Sequence, residues 1–232
     1  MILSKKKIFC LLFLIMHWAY VFSQNDITQR IDSVIRLANK RGIFNGNILV
    51  KKSGKTLYEA SLGYAEAGKK SVLSNNLLFD IGSVSKEFNG VSIMMLQERG
   101  LLKLEDPLSK YIPGLGLWSD QIQIKHLINY TSGIPSFNLL AEEKDEVILE
   151  NLRGLKDLQF EPGSAYLYNH YNVFLQMRII EKVSGVSYAD FVKKNIFTPL
   201  QMNNSVVDYP TNGVRIAKAF TMSSSRPTIP RE

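Results

Sequence analysis

Two residues three positions apart, Ser83 and Lys86, have the types and spacing for covalent chemistry. A serine hydroxyl is a weak nucleophile until a neighbouring base takes its proton. Apolar periodicity predicts a helix from Ser83 to Arg99, and residues three apart on a helix share a face, so the two side chains can meet. Ser83 would also lie at the positive end of the helix dipole. The pattern therefore permits an activated serine nucleophile.

The spacing alone leaves a structural interpretation of Ser83 open. A serine at the start of a helix is commonly an N-cap whose hydroxyl accepts a backbone N–H. The sequence also contains a second Ser-x-x-Lys, from Ser4 to Lys7, which has no chemical meaning in its basic N-terminal run. In addition, a lysine that acts as a base needs its pKa depressed from about 10.4 by burial or by a nearby cation. Only the surrounding sequence favours the catalytic interpretation.

Short motifs surround Ser83 and continue along most of the chain: Gly82-Ser-Val-Ser-Lys-Glu-Phe88, Leu96-Gln-Glu-Arg-Gly100, Leu104-Glu-Asp-Pro107, Tyr111-Ile-Pro113, His126-Leu-Ile-Asn-Tyr-Thr-Ser-Gly-Ile-Pro135, Phe160-Glu-Pro-Gly163, Ile180-Glu-Lys-Val-Ser-Gly185 and Pro199-Leu-Gln-Met202. In this order and combination they closely resemble the serine β-lactamase-like family. That family groups class C-type β-lactamases, penicillin-binding D,D-peptidases and related esterases. The resemblance extends from about Gly46 to Met202.

The resemblance implies a role for each residue of the site. Ser83 would attack an amide or ester carbonyl, Lys86 and Tyr168 would move the proton, and water would release the acyl-enzyme. Tyr168 occupies the first position of the family's Tyr-x-Asn motif, and its distance from Gly163 favours it over the neighbouring tyrosines. The third position holds His170 instead of asparagine. His170 is therefore predicted to bind substrate, because it could donate a hydrogen bond to a substrate amide or to Lys86. The alternative is a polar residue that merely lines the cleft.

Two further departures from the family pattern are visible. The family often has histidine where Tyr130 stands, which we expect to be tolerated. The third motif, Lys-Thr-Gly or His-x-Gly on a late strand, is absent, although it supplies one of two oxyanion-binding N–H groups in the family, the other being that of Ser83. Loss of one such donor typically lowers the rate by about a hundredfold or more. We therefore expect a truncated or frameshifted copy that is poorly folded and nearly inactive alone. The alternative to a hydrolase is a degenerate member without turnover that at most binds peptides or penicillin.

Cofactors and macromolecular partners are not expected. After the predicted signal peptide the sequence has only two histidines, His126 and His170, and no cysteine, His-Glu-x-x-His or Gly-x-Ser-x-Gly motif. These absences argue against a metal, a zinc hydrolase and an α/β-hydrolase. The formal net charge is +7, but the only tight basic run is Lys5 to Lys7, so nucleic acid is not a predicted partner. The predicted ligand is a small peptide-like, lactam or ester substrate, without a stable partner chain.

The N-terminus predicts export. Lys5 to Lys7 precede about 15 apolar residues, from Ile8 to Phe22, a length typical of a signal peptide and short for a membrane span. We place cleavage after residue 23, before Gln24. The protein would then be periplasmic or extracellular, or membrane-anchored if the signal stays uncleaved.

The elements that must position the site form an α+β pattern. The predicted fold class is β-lactamase/transpeptidase-like, an antiparallel sheet flanked by helices plus a helical lobe, with the last strands missing. Residues 24–221 would form this partial domain, with the sheet lobe up to Asp80 and the helical lobe from Ile81 to about Ser205. Residues 222–232 would be a polar Ser/Pro tail.

Periodicity predicts the individual elements. Asn47 to Lys51 and Thr56 to Ala60 flank Ser53-Gly54-Lys55 and indicate a hairpin. In the helix that begins at Ser83, Phe88, Val91 and Met95 predict a buried stripe. Further helices are predicted over four segments: Asp26 to Arg41, Glu142 to Leu158, Tyr171 to Val183 and Ser187 to Ile196.

Overall fold

The computed structural model describes residues 27–136, 144–207 and 216–220. The chain divides into two compact units between Asp80 and Ile81, where the sequence predicts a boundary. Of the described residues, 27–80 and 216–220 belong to the first unit, and 81–136 with 144–207 belong to the second. The predicted signal peptide, the first residue of the predicted helix from Asp26 to Arg41 and the Ser/Pro tail lie outside the described residues.

The first unit contains a helix and a β-hairpin. Helix α1 covers residues 27–40, and Ile31, Ile35 and Ala38 form its half-buried stripe. Strands β1 (Gly46–Lys52) and β2 (Lys55–Leu62) pair antiparallel, as the sequence predicts.

The hairpin turn has two residues, Ser53 and Gly54, with φ angles of 49° and 77°. Positive φ at both turn positions matches the twist of the strands, which explains why a glycine is suited to this place. Between the pairs Val50–Tyr58 and Lys51–Thr56 the register shifts by one residue, so β2 carries a bulge.

A second, short strand pair completes the described part of the first unit. Strand β3 (Leu78–Phe79) pairs in parallel with β4 (Ile216–Ala217). The fold of the described residues is therefore mixed α/β with a small antiparallel sheet.

The second unit is helical. A 3₁₀ turn, Gly82–Ser85, leads into α2, and shorter 3₁₀ turns and helices follow: α2 (Lys86–Glu98), turns Leu108–Lys110 and Leu117–Asp120, α3 (Ile124–Ile128), α4 (Asp145–Arg153), α5 (His170–Ser184), α6 (Tyr188–Val192) and a π-helical turn, Lys193–Phe197. The predicted helix ending at Leu158 is thus shorter, and the last predicted helix changes geometry after Val192. None of the helices among the described residues is long and apolar enough to cross a membrane.

The core of the second unit lies between α2 and α5. The predicted buried stripe of α2 is wrong at Val91, whose side chain is 48% exposed. The buried residues of α2 are Asn89, Ser92, Ile93 and Leu96. The helix thus faces the core with the polar side chains Asn89 and Ser92 as well as with apolar ones.

Hydrogen bonds make these buried polar positions compatible with the core. The Asn89 amide donates to the Val173 carbonyl on α5 at 3.2 Å and accepts the Tyr188 hydroxyl of α6 at 2.5 Å. A buried polar group costs little free energy when it is paired in this way. Asn89 therefore joins α2, which begins just after Ser83, to both later helices.

Candidate active site

Ser83 lies in the 3₁₀ turn before α2, and this geometry brings it to Lys86. Side chains three residues apart eclipse one another in a 3₁₀ helix. The Lys86 Nζ donates a hydrogen bond to the Ser83 Oγ at 2.9 Å. Gly82 begins the turn with φ of 53°, a backbone conformation that a residue with a Cβ rarely adopts. The local backbone geometry thus brings the two predicted residues into contact.

Tyr168 joins this pair from a distant part of the sequence. Its hydroxyl lies 3.0 Å from the Ser83 Oγ, and the Lys86 Nζ lies 5.3 Å from the centre of its ring. Ser83 is exposed, Lys86 is half-buried and Tyr168 is 42% exposed, so each of the three is at least partly accessible to solvent. The structure therefore brings the three predicted catalytic residues within hydrogen-bonding reach of the same serine oxygen.

The electrostatics of the cluster favour ionisation of Tyr168. The interaction with the Lys86 ammonium, followed by the hydrogen bond with Ser83, lowers the pKa of the Tyr168 phenol from its ordinary value of 10.0, and slight burial opposes this. Since Lys86 donates to Ser83, the Ser83 proton can point toward the Tyr168 oxygen. An opposite charge near a phenol stabilises its phenolate, so Tyr168 is suited to accept that proton.

Asn169 holds Tyr168 in place, a function that the sequence did not reveal. Asn169 is the N-cap of α5, and its side-chain oxygen accepts the Asn172 N–H at 3.0 Å. Its amide donates to the Ile134 carbonyl at 2.8 Å, and the residue is 2% exposed. In the family motif this is the unspecified middle position, so the only available signal was that asparagine is a favoured N-cap.

A buried polar pair extends this anchor toward the Thr-Ser-Gly segment. The Ser132 hydroxyl donates to the Asn172 side-chain oxygen at 2.6 Å and accepts the Ile134 N–H at 3.2 Å. Ser132 and Asn172 are almost completely buried. The segment that contains Ser132 is therefore bonded to the first turn of α5, directly after Tyr168.

The predicted substrate-binding residue, His170, is the first residue of α5 and is exposed. Its ring centre lies 6.2 Å from that of Tyr168, with the two rings at 71°. Lys86, the other predicted hydrogen-bond partner of His170, donates from its Nζ to the Ser83 oxygen. The structure thus places His170 beside the cluster, and its role in binding substrate stays a prediction.

An aromatic side chain completes the cluster. The Tyr130 ring stacks on the Tyr168 ring with centres 4.9 Å apart and an interplanar angle of 25°. The centre of the Tyr166 ring lies 6.1 Å from that of the Tyr130 ring, and the two rings are tilted relative to one another. Sequence reasoning placed Tyr130 only as a tolerated departure from the family.

The next question is whether the described residues could hold a metal ion. In the described part of the chain, no group of three His, Cys, Asp or Glu side chains is arranged to hold a metal ion. The His126 Nδ1 instead accepts the Gln123 N–H at 3.2 Å, closing a capping box at the start of α3.

Comparisons with known proteins point to one family. The family model described as Beta-lactamase matches residues 28–228. Penicillin-binding protein 4* of Bacillus subtilis (strain 168) is 35% identical over 189 residues, which cover 77% of this chain and 41% of that protein. Among solved structures, a class C β-lactamase in complex with cefoxitin aligns with a TM-score of 0.72 and 26% identity, covering 82% of this chain and 53% of that chain.

A third match extends the range of relatives. The octameric penicillin-binding protein homologue from Pyrococcus abyssi aligns with a TM-score of 0.66 and 29% identity, covering 77% of this chain and 44% of that chain. The chain thus spans about two fifths to one half of the length of the relatives that it matches.

Proposed function

Because the chain belongs to the Beta-lactamase family, we propose that it is a serine hydrolase that forms an acyl-enzyme on Ser83. One observation carries this proposal: the Ser83 oxygen lies 2.9 Å from the Lys86 Nζ and 3.0 Å from the Tyr168 hydroxyl. A serine so placed has a cation on one side and a phenol of lowered pKa on the other. This is the arrangement that an activated alcohol nucleophile requires.

The proton and the bonds can be followed through the proposed reaction. The Ser83 oxygen attacks the substrate carbonyl and a C–O bond forms, while the Ser83 proton passes to the Tyr168 phenolate. Lys86 stabilises that phenolate before the transfer. Tyr168 then returns the proton to the leaving nitrogen or oxygen as the C–N or C–O bond of the substrate breaks. Water then attacks the resulting ester while Tyr168 takes its proton. Tyr168 passes that proton to the Ser83 oxygen as the C–O bond of the ester breaks, which releases the acid and restores the serine.

The oxyanion formed during attack needs hydrogen-bond donors. Ser83 is the second residue of a helical segment, within the first turn, where backbone N–H groups have no acceptor within the helix. Its N–H would supply one donor, and family resemblance implies a second from a strand of the sheet. We extend the proposal to the finer architecture of the family, an antiparallel sheet flanked by helices together with a helical lobe, with residues 24–221 as the partial domain.

The proposed substrates are lactams, D-amino-acid peptides or esters. A relative with 26% identity has been solved with cefoxitin, and another is named a penicillin-binding protein. Both names point to molecules with a reactive carbonyl that a serine could attack. No metal or organic cofactor takes part in the proposed reaction.

Covalent labelling tests the nucleophile. A fluorescent penicillin and a fluorophosphonate should each label the protein, with the adduct on the peptide that contains Ser83. Ser83→Ala should abolish the label, because it removes the oxygen that both Lys86 and Tyr168 contact. Ser85→Ala is the matched control, since the Ser85 hydroxyl donates to the Gly82 carbonyl at 2.7 Å instead of taking part in the cluster. Equal labelling of the Ser83→Ala protein would refute the assignment.

A second candidate function is penicillin or peptide binding without turnover. It is favoured by the exposed His170 at the position where the family has asparagine. Release of hydrolysed product beyond one equivalent per protein supports the hydrolase. A single equivalent of stable adduct, seen by intact mass, supports the binding protein.

We also propose that the protein is exported through cleavage of its first 23 residues. Expression with the native N-terminus in a bacterial host, followed by N-terminal sequencing, should give a mature chain that begins at Gln24. A chain that keeps residues 1–23 and stays in the membrane fraction would instead indicate an uncleaved anchor.

A further inference from the structure

Tyr168 precedes α5 and must keep its hydroxyl on the Ser83 oxygen although much of its side chain is exposed. Parallel offset stacking at 4.9 Å and 25° places the Tyr130 ring against one face of Tyr168. Aromatic rings at this distance attract one another beyond simple burial. The stack therefore restricts rotation of the phenol away from Ser83 and Lys86.

The backbone of Tyr130 adopts an energetically unfavourable conformation at this place. Its φ angle is 57°, in the left-handed region that a residue with a Cβ adopts only at an energetic cost, and such residues cluster at functional sites. The Tyr130 carbonyl accepts the Leu167 N–H at 2.9 Å, and the Thr131 carbonyl accepts the Gly163 N–H at 2.8 Å. The two segments that carry the stacked rings are therefore also joined through their backbones, next to Tyr168.

We infer that Tyr130 is a positioning residue that holds the Tyr168 phenol on Ser83 and Lys86, an inference that rests on the proposed function of this site. Tyr130 does not touch the reacting atoms in this role. It acts through the orientation of Tyr168, which decides how close the phenol stays to the Lys86 cation.

The charges around the stack are consistent with this role. Burial, followed by the charges of Tyr168, Tyr166 and Glu87, raises the pKa of Tyr130 to about 12. Tyr130 thus stays neutral over the range in which Tyr168 ionises. The other titratable groups that face Tyr168 are Lys86, which carries the dominant charge, and the His170 ring at its edge.

A glycine variant distinguishes the effect of the stacked Tyr130 ring from the effect of the strained backbone at this position. Tyr130→Gly removes the stacked ring and fits a φ of 57° without strain, whereas Tyr130→Phe keeps the ring. Gln201→Gly is the matched control, because Gln201 has nearly the same φ, 55°, in another loop. If the glycine variant fails to fold, Tyr130→Asn carries the same expectation, since asparagine also tolerates this conformation.

The readout is the ionisation of Tyr168 itself. In the full-length chain labelled with ¹³Cζ-tyrosine, the Tyr168 signal is the one that disappears in Tyr168→Phe, and its chemical shift is followed against pH. We expect Tyr130→Gly to raise the midpoint toward the reference value near 10, because the phenol is then held less firmly beside the Lys86 cation. Tyr130→Phe and Gln201→Gly should leave it unchanged. Labelling of Ser83 by the fluorophosphonate should also slow at neutral pH in Tyr130→Gly, since a phenol of higher pKa is ionised to a smaller extent.

The outcomes separate this inference from the proposed function. An unchanged midpoint in Tyr130→Gly overturns the positioning role, even if Ser83 is labelled normally. An equal shift in Tyr130→Phe also overturns it, because the ring would then not be the cause. A raised midpoint in a protein that no probe labels supports the positioning role while the hydrolase assignment fails.

Discussion

The Ser83 oxygen contacts two side chains, Lys86 and Tyr168, and the geometry indicates a different role for each. Lys86 donates to this oxygen, so the atom that can accept its proton is the Tyr168 oxygen. The sequence resemblance assigned proton transfer to both residues without distinguishing them. In the proposed reaction Tyr168 moves the proton and Lys86 makes it a competent base, which leads to two predictions.

The first prediction concerns the cooperation of Lys86 and Tyr168. Lys86→Ala and Tyr168→Phe should each slow acylation of Ser83 by roughly 10²–10⁴-fold, the usual contribution of general-base catalysis. The double variant should lose little more than the worse single variant, because residues that act as one unit are not additive. Stopped-flow labelling measures the rates, with exposed Lys182→Ala on α5 as control. Fully multiplicative losses would mean that the two residues work independently.

The second prediction is the direction of a pH shift. Lys86 lowers the pKa of Tyr168, so acylation that needs the phenolate should rise with pH through a midpoint below 10. Replacing Lys86 with methionine removes the cation, raises the pKa of Tyr168 and moves this rise to higher pH. The measurement is the labelling rate from pH 6 to 11. A midpoint that stays in place or moves to lower pH contradicts the assigned role of Lys86.

At the scale of elements, α5 and the Thr-Ser-Gly segment form one buried polar joint. The N-cap Asn169 donates a hydrogen bond to the Ile134 carbonyl. Asn172, in the first turn, accepts one from the Ser132 hydroxyl. Such a joint orients the residues beside it because a buried polar group strongly disfavours any arrangement that leaves it unpaired. The position of Tyr168 therefore depends on side chains that take no part in the proposed reaction.

The third prediction tests this joint. Asn172→Ala leaves the buried Ser132 hydroxyl without its acceptor and should lower the free energy of unfolding by about 1–3 kcal/mol. Exposed Asn151→Ala on α4 should change it by less than about 0.5 kcal/mol. Urea unfolding followed by circular dichroism provides both values. Equal effects of the two substitutions would show that the buried pair does not stabilise the unit.

The fourth prediction separates backbone strain from steric overlap at Gly133. This glycine has φ of 78°, and an added Cβ would lie 2.2 Å from the Phe160 carbonyl oxygen. Gly185, after α5, has φ of 74° but open space around its Cβ position. Gly185→Ala should cost about 1–2 kcal/mol of stability through strain alone, and Gly133→Ala should cost clearly more.

The control for these glycines is Gly90, inside α2, where an added Cβ meets no atom within 4 Å. Gly90→Ala should stabilise the protein by about 0.5–1 kcal/mol, because alanine is the better helix former. Thermal unfolding ranks the three variants. A Gly133→Ala protein as stable as Gly185→Ala would show that the contact with Phe160 relaxes freely.

At the scale of the whole molecule, Asp106 links stability to pH. Its carboxylate accepts hydrogen bonds from the Tyr111 hydroxyl at 2.5 Å, the Lys110 ammonium at 2.9 Å and the Lys103 N–H at 2.8 Å. Burial raises the pKa of Asp106, but these bonds outweigh burial and lower it from 3.8 to about 2. A lowered pKa in the folded state means that the stabilisation is present above pH 3.8 and is lost as the pH falls toward 2.

The fifth prediction follows from this sign. Asp106→Asn should lower the free energy of unfolding at pH 7 by about 1.5–3 kcal/mol, the range for hydrogen bonds to a charged group, with partial exposure of Lys110 favouring the lower end. The difference from the unmodified protein should shrink between pH 4 and pH 2. Urea titrations at several pH values test this, with exposed Asp120→Asn as control. A difference that does not depend on pH would contradict the role of the Asp106 charge.

Features that depend on residues close together in the chain could be predicted from the sequence. The Ser83–Lys86 contact follows from the repeat of a helical turn, and the hairpin follows from a two-residue turn at Ser53 and Gly54 between alternating strands. The motif order was also sufficient to indicate the family and to choose Tyr168. Local backbone geometry admits few alternatives over three or four residues, which is why these predictions were possible.

Contacts between distant side chains could not be predicted in this way, because they depend on how the helices and loops pack. Ser83 and Tyr168 are 85 positions apart, and nothing in the local pattern reveals the stack of Tyr130 on Tyr168 or the bond between Ser132 and Asn172. The same limit explains the error at Val91, where apolar periodicity predicted burial and the packing of α2 chose Asn89 and Ser92 instead. A hydrophobic pattern describes one element, whereas burial and hydrogen bonding are decided by the neighbours that pack against it.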